Sequence, residues 1–101
     1  MEIKAQESSN GSVELFLIGD VVLQNVSYVK EHVMNQINKG SKEIILNFRD
    51  VDFIDSAGMG LLLGIKSTLR ARKGSLKISG VKPNIKRTLE LMKFHKILEI
   101  D

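Results

Sequence analysis

Residues Val51-Asp52-Phe53-Ile54-Asp55-Ser56-Ala57-Gly58-Met59-Gly60-Leu61-Leu62-Leu63 carry the densest set of groups able to do chemistry in this chain. Asp52 and Asp55 are carboxylates and Ser56 is a hydroxyl. Ala57, Gly58 and Gly60 leave the backbone around that hydroxyl almost bare. Either Asp55 or Ser56 can cap a helix, because both side chains accept the unpaired N–H groups of a first turn. Capping accounts for one of the two. The other is free for a different task.

Hydrolytic use of Ser56 is disfavoured. A nucleophile elbow needs glycine two places before the serine and a histidine within reach. Ile54 stands in that place, and only His32 and His95 exist, one on the predicted outer face of a helix and one in a turn. Gly58-Met59-Gly60 opens a helix after a strand, as a dinucleotide site does, but the fingerprint asks for a small residue where Leu63 stands. No Gly-Lys-Ser/Thr phosphate loop is present, and no His/Asp/Glu grouping has metal-ligand spacing. Enzyme activity is therefore the minority reading of these residues.

Phosphorylation suits Ser56 better. A phosphate at a helix N-terminus adds about −1.5 to −2 charges where the helix dipole and free N–H groups absorb them. The fold then survives, and the effect falls on whatever covers the site. Asp20, Asp52 and Asp55 are expected on the same rim, so the modified surface becomes strongly acidic. Gly58, Gly60 and Gly64 each cost about 1 kcal/mol against alanine inside a helix. Something therefore approaches that backbone closely, either the sheet or a phosphate, ligand or partner. Met59 offers a flexible apolar contact.

These residues need elements to position them. Ile3–Ser8 and Ser12–Ile18 read as strands, joined at Asn10-Gly11, a pair suited to a tight hairpin. Val26, Val29, Val33 and Ile37 form a helical stripe with Asn25 as its expected cap and Lys39-Gly40 as its stop. Glu43–Phe48 contains Ile44-Ile45-Leu46, the run of a strand covered on both faces. Leu61, Leu62, Ile65 and Leu69 mark a second helix, closed at Lys73-Gly74. Leu76–Ser79 alternates as a strand. Pro83 fits the first position of a third helix carrying Ile85, Leu89 and Met92. Ile97–Ile100 is a last strand. The order β-β-α-β-α-β-α-β predicts an α/β fold: one small mixed sheet, an N-terminal antiparallel hairpin followed by parallel β-α-β units, covered by helices.

The whole sequence, 101 residues, suits one domain spanning 1–101. It contains no cysteine, which removes disulfides and thiolate chemistry. The polar first ten residues lack the apolar core of a signal peptide, and no run reaches a membrane-spanning length. A soluble, cytoplasmic domain without membrane insertion is the expectation. Residues 1–65 hold five Lys/Arg and nine Asp/Glu, while residues 66–101 hold ten and three. The basic half lacks aromatic interleaving and any nucleic-acid module, so direct nucleic-acid binding is not expected.

Ile44-Ile45-Leu46-Asn47-Phe48 followed by Val51 through Gly60 resembles the signature of STAS domains, more narrowly of bacterial anti-sigma factor antagonists. Gly19-Asp20 and Gly80-Val81-Lys82-Pro83 extend the likeness over nearly the whole chain. The resemblance implies a partner switch. Unphosphorylated, such a protein binds an anti-sigma factor that is also a serine kinase. That kinase uses ATP to phosphorylate the serine corresponding to Ser56, the complex loosens, and a phosphatase acting on phospho-Ser56 resets it. Asp20, Asp55, Ser56, Ala57, Gly58, Met59 and Gly60 are the implied partner surface. Two segments depart from the pattern. Met92–Lys96 lacks the usual glycine, and Val21-Val22-Leu23 is unusually apolar. Two other readings stay open: a STAS subunit of a transport or stress-signalling complex that does not switch, and a small-ligand or nucleotide-binding domain using the glycine-rich helix start.

Overall fold

The computed structural model describes all 101 residues. Strands β1 (Glu2–Glu7) and β2 (Ser12–Ile18) form the antiparallel hairpin. Then follow α1 (Leu23–Asn38), β3 (Glu43–Asp50), α2 (Ser56–Ala71), β4 (Ser75–Ser79), α3 (Pro83–Leu91), a 3₁₀ turn at Phe94–Lys96 and β5 (Glu99–Ile100). The sheet order is β1-β2-β3-β4-β5, with the last three pairings parallel. Every crossover steps the same way across the sheet, so right-handed connections place all three helices on one face.

Burial follows from that arrangement. Val13, Leu15 and Leu17 of β2, Ile44, Leu46 and Phe48 of β3, and Leu76 and Ile78 of β4 point into one core of 22 apolar residues. Val29 and Val33 of α1, Leu62, Ile65 and Leu69 of α2, and Ile85 and Leu89 of α3 close it from above. The opposite face of the sheet is open. Ile45 lies there, half-buried beside Glu14 of β2 and Lys77 of β4. The apolar run of β3 therefore does not mark a strand covered on both faces. Arg49 lies over the Phe16 ring at 5.9 Å, and Asn47 donates to Glu14 at 2.9 Å, so polar groups shield the apolar residues of this face.

Several local expectations change. The hairpin is not a two-residue turn: only Gly11 takes a positive φ, and Asn10 Oδ1 instead accepts the Ser12 N–H at 3.1 Å. Helix α1 starts at Leu23, ahead of Asn25, whose side chain donates to the Asp20 carbonyl at 2.8 Å. Pro83 is the first residue of α3, as expected. Beyond it the chain tightens into the 3₁₀ turn, which leaves only Glu99–Ile100 as strand. That turn needs a left-handed residue, and Lys93 supplies it at φ 62° where a glycine would be unstrained.

Candidate functional site

A bulge near the end of β3 sets the site. The register runs Phe16 to Asn47 and then Ile18 to Asp50, so β3 carries one extra residue. Asn47 Oδ1 accepts the Arg49 N–H at 2.9 Å, satisfying the backbone of the bulge. Past it, the chain leaves regular pairing yet stays alongside the end of β2. Gly19 N–H donates to the Asp50 carbonyl at 3.2 Å and Val21 N–H to the Phe53 carbonyl at 3.0 Å. Asp55 N–H donates to the Val21 carbonyl at 3.3 Å, and Val21 bridges Ile54 in parallel. These bonds bring Asp20 onto the rim occupied by Asp55 and Ser56.

Asp55 is the N-cap of α2. One carboxylate oxygen accepts the Gly58 N–H at 2.9 Å; the other accepts the N–H of Leu23, first residue of α1, at 3.1 Å. One side chain thereby serves two helix N-termini. That explains why α1 begins without a side-chain cap of its own. The N–H groups of Gly58, Leu23 and Ala57 stabilise the charged form and hold the Asp55 carboxyl below the usual carboxylate range, against a smaller opposing effect of desolvation.

Gly58 is buried beneath the same junction. A Cβ there would meet the Val21 carbonyl oxygen at 2.1 Å and Ile54 Cγ1 at 2.7 Å. The close approach at Gly58 is therefore to this chain's own backbone, and Gly58 leaves the expected partner surface. Gly60 and Gly64 differ, since nothing lies within 4 Å of a Cβ at either. Together with Ala57 they form one wall of a groove of about 400 Å³, faced by Val26, Lys30 and Met34 of α1.

Ser56 is the first residue of α2 and is exposed. Because Asp55 performs the capping, the Ser56 hydroxyl is free of that duty. Ala57 and Met59 are half-buried, while Asp20 and Gly60 are exposed. The rim is less acidic than expected. Asp52 pairs with Lys82, and its carbonyl accepts the Asn84 amide at 3.2 Å. The Asp55 carboxylate is engaged by backbone N–H groups, which leaves Asp20 as the unpaired acid of the three. Two apolar residues outside the implied partner surface stand out beside it. Phe53 is 56% exposed and Leu23 71%. The sequence signal for Phe53 was its place between Val51 and Ile54, which are both buried and turn it outward.

No group of His, Asp and Glu residues could hold a metal ion, and no helix is long and apolar enough to cross a membrane. His32 is half-buried on α1 against Tyr28, with ring centroids 4.4 Å apart, and His95 is exposed in the 3₁₀ turn. Neither belongs to the Ser56 cluster, and no hydrogen bond links either to Asp55.

A mixed sheet with an exposed serine one residue past the helix cap, where the chain passes from β3 into α2, defines a class. The STAS domain family matches residues 2–101, and the chain belongs to it. It is similar to the anti-sigma-B factor antagonist of Listeria monocytogenes serovar 1/2a, at 25% identity over 101 residues, covering 99% of this chain and 88% of that protein. The fold is shared with the anti-sigma factor antagonist SpoIIAA in its unphosphorylated form, at TM-score 0.77 and 23% identity, covering 99% of this chain and 87% of that one. It is shared as well with the Bacillus cell fate determinant SpoIIAA in the phosphorylated form, at TM-score 0.75 and 22% identity, covering 99% and 91%.

Proposed function

We propose that this domain, residues 1–101, is an anti-sigma factor antagonist that works as a phosphorylation-controlled partner switch. The observation that carries this reading is the division of labour between neighbours: Asp55 holds the two helices, and exposed Ser56 is left for chemistry. Unphosphorylated, the surface of Asp20, Ser56, Ala57, Met59 and Gly60, flanked by Phe53 and Leu23, binds an anti-sigma factor that is a serine kinase. Its small side chains admit that kinase's active site. Phosphate on Ser56 then places bulk and about two negative charges beside Asp55 and Asp20, inside an interface fitted to a neutral hydroxyl. Repulsion and desolvation release the partner. A phosphatase removes the group. The domain itself catalyses nothing and needs no cofactor. Similarity to antagonists over nearly the full chain supports the reading.

The test uses the candidate kinase with ATP and maps the phosphopeptide. Modification at Ser56, retained binding by Ser56→Ala and weak binding by phospho-Ser56 protein are the expected results. Equal partner affinity for the phosphorylated and unphosphorylated forms would overturn the switch.

A further inference from the structure

The positive charge of the C-terminal half has a structural focus away from Ser56. Between α2 and the 3₁₀ turn lies a recess of about 430 Å³, lined by Leu63, Lys66, Ser67, Arg70, Lys96 and Ile97. Its two apolar members are open to water, Leu63 at 39% and Ile97 at 51% exposure. Its three cations have no counter-ion within the chain, whose ion pairs involve other residues. Lys77 and Lys82, by contrast, are both paired.

Helix geometry ties this recess to the switch. Leu63 follows Ser56 by seven residues, which at 3.6 per turn returns it to the same face, roughly 10 Å along the axis. Ser67 lies one further turn down. A protein seated over Ser56 and running along α2 therefore meets Leu63 and then Lys66, Arg70 and Lys96. Such a partner needs negative charge there, with an apolar side chain to cover Leu63 and Ile97.

We propose that Leu63, Lys66, Arg70, Lys96 and Ile97 form a second docking point, for an acidic segment of the same protein partner that covers Ser56. This rests on the partner-switch reading above. Two other anionic surfaces fit less well. Nucleic acid would find little to stack on, because the exposed Tyr28 and Phe53 rings lie on other elements and only the His95 imidazole adjoins the recess. A bilayer would lie across the recess without filling it. The second docking point begins about two turns from Ser56 and its helix cations lie about three and four turns away, so it contributes to affinity in both phosphorylation states and holds the partner while Ser56 is modified.

The experiment compares wild type with the Lys66→Glu/Arg70→Glu variant and, separately, with Lys96→Glu. Binding to the purified kinase is measured without ATP at about 50 mM and about 300 mM salt, where screening differs strongly. The expected result is an affinity loss of about tenfold or more for the double variant at low salt, shrinking at high salt, with a smaller loss for Lys96→Glu. Lys66→Arg/Arg70→Lys should restore wild-type binding. With excess kinase and ATP, the double variant should still be phosphorylated on Ser56, which separates docking from the switch. Unchanged affinity and salt dependence, with Ser56 still modified, would overturn the docking point alone. Absence of both binding and Ser56 phosphorylation in wild type would overturn the switch and the docking point together. Vesicles of phosphatidylglycerol serve as a control. Vesicle binding abolished by the double substitution, with kinase affinity unaltered, would assign the patch to a membrane and overturn the proposal.

Discussion

The carboxylate of Asp55 accepts the backbone N–H of Leu23 at 3.1 Å across 32 positions of sequence, while also capping its own helix through Gly58 at 2.9 Å. The pair joins the start of α1 to the start of α2 through one side chain. It fixes the rim on which Asp20 and Ser56 stand. An acid beside a phosphorylatable serine here has an architectural task before any electrostatic one.

Substitution at Asp55 separates its two bonds. Asp55→Asn keeps one carbonyl acceptor, so one cap survives. Asp55→Ala removes both acceptors and leaves the Leu23 and Gly58 N–H groups without these partners. The expected order of thermal midpoints is wild type, then Asn, then Ala, measured by circular dichroism. Weakened protection of the Leu23 amide in the Asn variant, with Gly58 still protected, would show by hydrogen exchange which bond was lost.

Acid should weaken the same junction. The folded-state pKa of Asp55 is depressed below its ordinary value of 3.8. Its stabilisation is therefore complete above that value and is lost as pH falls through the lower, folded-state value. Denaturant midpoints measured from pH 6 downward should stay flat until roughly the ordinary carboxylate range and then drop. Asp55→Asn should show a shallower acid limb, since its amide does not titrate.

The three glycines of α2 should respond with opposite signs. Gly58→Ala forces a Cβ against the Val21 carbonyl, so we expect a loss of about 3 kcal/mol or failure to fold. Gly60→Ala and Gly64→Ala meet open space and should each gain about 0.5–1 kcal/mol in urea unfolding.

Lys93 should yield a similar gain. It holds a left-handed backbone that costs a non-glycine residue about 1 kcal/mol. Lys93→Gly should raise stability by up to about 1 kcal/mol, read from the denaturation midpoint.

Phe53 should matter for binding and not for folding. Its ring is largely exposed beside Ser56. Phe53→Ala should leave the thermal midpoint nearly unchanged and reduce affinity for the kinase by about tenfold, as an exposed aromatic anchor does. Equal affinity in a titration would place Phe53 outside the interface.

Element order and type could be read from periodicity, since Val26, Val29, Val33 and Ile37, or Leu62, Ile65 and Leu69, repeat at helical spacing whatever their neighbours. Pro83 announced its helix for an equally local reason: the ring sets φ and removes a donor that a first turn does not use. The chemistry of the Asp55-Ser56 pair was local too, because a helix N-terminus needs only its first few residues. The helix starts at Leu23 and not Asn25 because its cap comes from 32 residues away, and no window of sequence contains that bond. Tertiary packing likewise sorted the glycines, burying Gly58 against Val21 while Gly60 and Gly64 face a groove. It tied Asp52 to Lys82, and it gathered Leu63, Lys66, Arg70, Lys96 and Ile97 around one recess. Local patterns state which groups a chain carries and what each can do alone. Only the folded backbone sets the distances between them, and charge, capping and access all depend on distance.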